Sequence, residues 1–178
     1  MHSGLAQIKV TYRGIEHSLL KSLSAPTIVT DSASAIRETR KIESQLIQRG
    51  YLTANIDEFK FDKQSLDVFI SLGQQYRWAQ ILPGNTDDEA LIKSGYRSKI
   101  LEKKTITPKG LAMLHSALVT HYENNGYPFA SSSLRKIDFT DSSTISAELH
   151  IEKGPLITID SITIVGDAKI SELYISNY

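Results

Sequence analysis

The sequence contains no cysteine, which excludes a disulfide framework, a thiolate zinc site and a cysteine nucleophile. It has no excess of either charge, because 20 lysines and arginines balance 20 aspartates and glutamates. No segment is basic enough to neutralise a phosphate backbone, so nucleic acid is not an expected partner. Charge runs such as Glu102-Lys103-Lys104 read as solvated surface. Aromatic residues are sparse at 8%, with one tryptophan, Trp78, among the 178 residues. No apolar stretch approaches the ~20 residues of a membrane-spanning helix. Met1-His2-Ser3-Gly4 lacks the charged start and apolar run of a secretion signal. An export signal or membrane anchor is therefore expected outside this sequence.

Signatures of chemistry are also lacking. His2, His17, His115, His121 and His150 include no i, i+4 pair of the kind that puts two metal ligands on one helix face. Asp87, Asp88 and Glu89 open a helix, where the helix dipole accounts for acidic residues. There is no Gly-x-Ser-x-Gly elbow and no phosphate-cradling glycine loop. No cofactor, metal, small-molecule substrate or catalysis is expected.

What is present is self-similarity. Gln45-Leu46-Ile47-Gln48-Arg49-Gly50-Tyr51-Leu52-Thr53-Ala54 aligns with His121-Tyr122-Glu123-Asn124-Asn125-Gly126-Tyr127-Pro128-Phe129-Ala130, 76 residues apart. In each copy a helical pattern runs into a glycine, the residue that best takes the left-handed conformation just past a helix end. Ile36, Thr39, Ile42 and Leu46 give the first helix one apolar face, and Leu111, Leu114, Leu118 and Tyr122 the second. Asp31 and Ser32 mark the first start, and Thr107-Pro108 the second.

Two strand-like runs follow each glycine. The second run alternates cleanly, Leu66, Val68, Ile70, Leu72 in one copy and Ile145, Ala147, Leu149, Ile151 in the other. In the first run Ile56 is out of phase with Phe59 and Phe61, and Leu134 with Ile137 and Phe139, both at an offset of 78. A shared phase break predicts a bulge at a sheet edge in each copy. Asp62-Lys63-Gln64 and Asp141-Ser142-Ser143 supply hairpin turns. Gln7–Tyr12 reads as a strand and Glu16–Leu23 as a helix. Thr86-Asp87-Asp88-Glu89 reads as a capping box, and Trp78 as a packing element at the hinge between modules. The unit is β-α-α-β-β, with boundaries expected at 1–75 and 76–156. A truncated third copy is expected over 157–178, where Ile162, Ile164 and Val165 read as a strand and Lys169–Tyr178 as an opening helix. The sequence is thus expected to be a piece of a longer protein. The fold class is α+β, each module a three-stranded mixed sheet covered on one face by two helices.

That order of elements resembles the POTRA (polypeptide-transport-associated) domains of outer-membrane assembly and translocation proteins of the BamA/TamA surface-antigen type. The residues carrying the resemblance are Gly50, Tyr51 and Ala54; Gly126, Tyr127, Pro128 and Ala130; Gly73 and Gly154-Pro155; Gly84-Asn85 and Gly166-Asp167. The first copy departs from the pattern at Leu52, Leu72-Gly73-Gln74 and Tyr12-Arg13-Gly14. The resemblance implies a periplasmic scaffold ahead of a C-terminal membrane β-barrel, with unfolded or extended outer-membrane clients and accessory assembly subunits as partners. Strand addition to an exposed edge is the physical mechanism that suits this role. The candidate binding residues are Asn55, Ile56, Asp57, Glu58, Phe59 and Lys60, with Ser132, Ser133, Leu134, Arg135 and Lys136. The charges Glu58, Lys60, Arg135 and Lys136 also suit an edge that is merely protected from aggregation. Two other classes stand beside this reading: an interaction module of a cell-division or envelope structural protein, and a small α+β enzyme.

Overall fold

The structure, a computed structural model, describes residues 7–158 and residue 160. The strand and helix expected beyond Ser161, with Gly166-Asp167, lie outside the described residues. Strands β1 (Ile8–Arg13), β2 (Ile28–Val29), β3 (Asn55–Asp62) and β4 (Ser65–Ser71) form a first sheet with helices α1 (His17–Ser22) and α2 (Ser32–Gln48). Strands β5 (Arg77–Leu82), β6 (Ser131–Phe139) and β7 (Thr144–Glu152) form a second with α3 (Asp88–Lys93), α4 (Ser98–Leu101) and α5 (Pro108–Glu123). The strand orders are β2-β1-β4-β3 and β5-β7-β6. β1 runs parallel to β4 and β5 parallel to β7, while the hairpins are antiparallel. Each sheet is therefore mixed, with the first hairpin strand at its edge.

Two departures from the expected unit have local causes. The first sheet gains a fourth strand, β2, only two residues long, held to β1 by Val10 N donating to Thr27 O at 2.8 Å. The second unit gains α4, a single turn with no buried residue, packed on β5.

Long helices start and stop where the sequence marks them. Asp31 caps α2 by accepting from Ser34 N at 2.8 Å, and Thr107 caps α5 by accepting from Gly110 N at 3.1 Å. Gly50 (φ +90°) and Gly126 (φ +86°) end them. The Ser34 main-chain N–H, with the Ser34 and Thr30 hydroxyls, pulls the Asp31 carboxyl down to about 2. A lowered carboxyl pKa contributes stability above the ordinary value, lost as pH falls through the folded one. The Ser34 amide resonance is expected to titrate near pH 2, and Asp31→Asn to keep the cap while abolishing that titration.

Each unit has its own core. Val10, Leu66, Val68 and Ile70 of the first sheet pack against Ala35, Ile42 and Leu46 of α2. Thr39, on the same helix face, is buried with its hydroxyl donated to Ala35 O at 2.7 Å. In the second, Ile81, Ile145, Ala147, Leu149 and Ile151 pack against Leu118 and Tyr122 of α5. Trp78 is 7% exposed inside this second core, not at a hinge, because its position in β5 faces inward with Ile81. The capping box does not form. The N-cap of α3 is Asp87, one residue on, and its carboxylate is drawn away to Lys153 Nζ (2.7 Å) and Tyr122 Oη (3.1 Å). The buried Thr86 hydroxyl has no partner among the described residues.

The units meet through main-chain carbonyls at the end of α2 and through the side chains of Gln75 and Leu52. Tyr76 N donates to Gly50 O at 2.8 Å, and Gln75 Nε2 to Arg49 O at 2.9 Å. A side chain at Gly50 would run into Thr105 and the Ile106 carbonyl. Leu52 packs onto the second core. At the far end Ile157 N donates to Gly126 O, again at 2.8 Å.

Candidate functional site

The family-motif residues are framework. Tyr51 packs on the first core and Ala54 is buried in it. Tyr127 and Ala130 pack on the second, whereas Pro128 is exposed. Gly84 (φ +59°) lies so close to β7 that a Cβ would overlap the Leu149 carbonyl oxygen. Asn85 then uses its side-chain amide as a strand, donating to Ile151 O at 2.9 Å and accepting from Ile151 N at 2.8 Å. This continues the β5–β7 ladder after β5 has ended. In the first unit Gly14 (φ +83°) makes the same close approach to the Ile70 carbonyl, so the departing Tyr12-Arg13-Gly14 segment keeps the glycine's role without the asparagine's. Lys153, before Gly154 (φ +70°), bonds Asp87 and stands over the Tyr122 and Tyr127 rings at 5.2 and 5.7 Å. That bond holds the Asp87 carboxyl below its ordinary range and raises the Lys153 ammonium.

The candidate binding residues fall on β3 and β6, each at one edge of its sheet. Antiparallel partners alternate between residues that exchange main-chain bonds and residues whose N–H and C=O face away. Arg77 N donates to Ser143 O, and Ile151 N to Asn85, so the odd-numbered residues of β7 serve the β5 side. Its even-numbered residues bond β6, which occupies Ser131, Ser133 and Arg135 and turns the N–H and C=O groups of Ser132 and Leu134 outward. By the same reasoning Lys9 N donates to Gln64 O, so β4 meets β3 through Asp67, Phe69 and Ser71. Ile56, Phe59 and Phe61 are then the outward residues of β3.

Both strands are bulged, between Ile56 and Glu58 and between Arg135 and Asp138. The bulge restores phase. Ile56 lies opposite Ile70 and Phe59 opposite Val68, both core-facing partners, despite the odd spacing. Asp57, the extra residue, accepts from the Ser71 hydroxyl at 2.5 Å and from Asn55 at 3.0 Å, and these bonds lower its carboxyl pKa. In β6 the bulge contains Lys136 at φ +50°, a left-handed conformation costly for a residue with a Cβ. Beyond it Ile137 and Phe139 are 57% and 62% exposed. The edge charges are paired across strands: Arg135 with Glu152 at 2.8 Å, and Lys136 with Glu148 at 2.7 Å.

Sequence reasoning missed two partners from the helices. Glu43 Oε1 accepts from Ile56 N at 3.3 Å, and His115 Nδ1 bonds Ser132 Oγ at 2.7 Å. Burial lowers the His115 pKa. Both residues lie on the flank of the apolar helix stripe, so the signal was present only once helix and edge strand could be placed side by side. Apart from the edges, a groove of about 380 Å³ opens between β5 and α5, lined by Trp78, Ile81, Tyr96, Leu101, Leu111 and Leu114. Among the described residues no cluster of three or more His, Asp or Glu is placed to hold a metal ion. No helix among them is long and apolar enough to cross a membrane.

Among solved structures the chain is similar to POTRA domains 3–5 of Haemophilus influenzae BamA, with a TM-score of 0.56 and 16% identity over 96% of this chain and 76% of that one. The chain has the POTRA fold. POTRA domains 1–2 of Omp85 from Anabaena align with a TM-score of 0.47 and 9% identity, over 86% of this chain and 96% of that one. BamA of Haemophilus ducreyi lacking POTRA domains 1–3 aligns at 0.48 and 15% identity, over 80% of this chain and 28% of that chain. No protein-family model matches the chain, and no curated protein matches it in sequence. The POTRA arrangement explains why both hairpins carry their first strand outermost: the parallel strand occupies the other side of the central one.

Proposed function

We propose that the chain is a periplasmic scaffold portion of an outer-membrane assembly or transport protein and that it holds extended client or accessory polypeptides by strand addition. The supporting fold is that of POTRA domains in BamA. The observation that carries the mechanism is the row of main-chain groups of Ser132 and Leu134, turned outward from the edge of a sheet. Such a row binds an extended segment through peptide groups, giving affinity with little demand on sequence. Catalysis plays no part in this role, and the membrane anchor is a β-barrel in the same protein.

The test is titration of the isotope-labelled chain with an outer-membrane-protein strand peptide, followed by backbone amide shifts. Shifts confined to residues outside both outer strands would exclude strand addition. Leu134→Pro removes an outward donor at a strand edge, where proline is tolerated. It is expected to weaken peptide binding about tenfold, the worth of one or two hydrogen bonds. Leu134→Ala, which keeps the N–H, serves as the control for the lost side chain and is expected to bind nearly as the parent does.

A further inference from the structure

The two outer strands are built alike but are closed to different degrees. In the first unit the outward Ile56 N–H is already occupied by the Glu43 carboxylate. Glu43 stands seven residues before Gly50, and Val119 stands seven before Gly126. The helices share their phase: Ile42 and Leu46 are buried in α2 at the positions that Leu118 and Tyr122 occupy in α5. By this correspondence Val119 holds Glu43's position on its helix, and a valine accepts no hydrogen bond. Leu134, 78 residues after Ile56, has no turn, cap or side-chain acceptor on its N–H among the described residues.

From this we infer that the edges are not equivalent: β6 receives the added strand, while β3 is shut at Ile56 by Glu43. The inference rests on the strand-addition reading and specifies its site and its ligand. A carboxylate over the edge both consumes a donor and places an acceptor where an incoming carbonyl would sit, so the newcomer meets a lost bond and a like-signed dipole. On β6 the free stretch is Ser131–Arg135, because Lys136 at φ +50° bends the strand and the ladder shifts register there. The ligand is thus an extended segment of about five residues, bonded through the N–H and C=O groups of Ser132 and Leu134. Side chains alternate across a strand. Those on one face of the ligand meet Val119 and Leu134, and those on the other meet water. The segment is alternately apolar and polar, and its charge matters little because Arg135 and Lys136 are already paired.

A short synthetic peptide of alternating valine and threonine, with lysine at each end, is the probe. With the unchanged chain, amide shifts are expected over Ser131–Arg135 and at Val119, and not over Asn55–Lys60. Glu43→Val should make Asn55–Lys60 respond with an affinity within about tenfold of that of β6. Glu43→Gln, whose side-chain carbonyl still accepts, should leave β3 closed. Val119→Glu should weaken the β6 response about tenfold. Trp78 fluorescence reports that the second unit is folded, and the dispersed amide resonances of α2 and β4 report the same of the first, whose core is separate. Equal response of both strands in the unchanged chain, or a β3 that stays silent in Glu43→Val, would overturn the inference while leaving strand addition standing. Silence of both strands in every variant would instead overturn strand addition itself.

Discussion

Gly84→Ala is expected to destabilise the second unit by about 3 kcal/mol, among the larger effects available to a single methyl group. The left-handed conformation accounts for roughly 1–2 kcal/mol of this. The remainder comes from the Leu149 carbonyl, which the new Cβ would overlap. Neither partner can withdraw easily: Leu149 is fully buried in the central strand, and the residue after Gly84 is pinned to Ile151 by two hydrogen bonds. Gly95 provides the comparison. It too has a positive φ, +73°, yet nothing lies within 4 Å of where its Cβ would be. Gly95→Ala should therefore show the conformational cost alone, about 1 kcal/mol. Urea unfolding monitored by Trp78, the sole tryptophan and a member of the second core, measures both. Equal losses from the two substitutions would mean that the close approach is relaxed in solution.

Leu118→Ala should cost a comparable amount, about 3 kcal/mol within the 2–5 range for a leucine emptied from a tight core. Leu118 is completely buried against Leu149, Ala147 and Tyr122. Its neighbours belong to a strand and a helix fixed at both ends, so the space cannot collapse fully. A unit of this size is stable by roughly 4–11 kcal/mol, and the loss is a large share of that. The Trp78 transition should move to lower urea, while slow amide exchange persists in α2 and β4, whose core is separate. Simultaneous loss of protection in both units would show instead that the joint at Gly50 couples them into one cooperative block.

Much of this architecture was legible in the residues because it depends on short-range periodicity and on backbone conformations that few residues adopt. The ends of α2 and α5 at Gly50 and Gly126, the two hairpins and the bulges all follow from spacing alone. The contributions that escaped are those made by contact. β2 is two residues long and is recognised only by β1. The capping box expected from Thr86 to Glu89 does not form, and the helix starts one residue on at Asp87, whose carboxylate is bonded to Lys153, 66 residues away. Trp78 enters a core instead of a hinge because β5 pairs in parallel with β7, which alternation within β5 does not reveal. At the binding edge, the residues of β3 and β6 were identifiable from their broken phase, but which N–H groups face outward required the register of the neighbouring strand. Glu43 was invisible for the same reason: a carboxylate on a helix flank becomes a stopper only when an edge amide lies beside it.

The joint between the units carries a consequence of its own. It is made chiefly by peptide groups, Tyr76 N on Gly50 O, against a surface that admits no side chain at Gly50. A contact written in backbone leaves almost no record in the sequence. Apart from Gly50, the Gln75 amide and the apolar Leu52, the residues surrounding it are free to be replaced over long divergence, and the relative pose of the two units can be inherited long after their sequences have ceased to look alike.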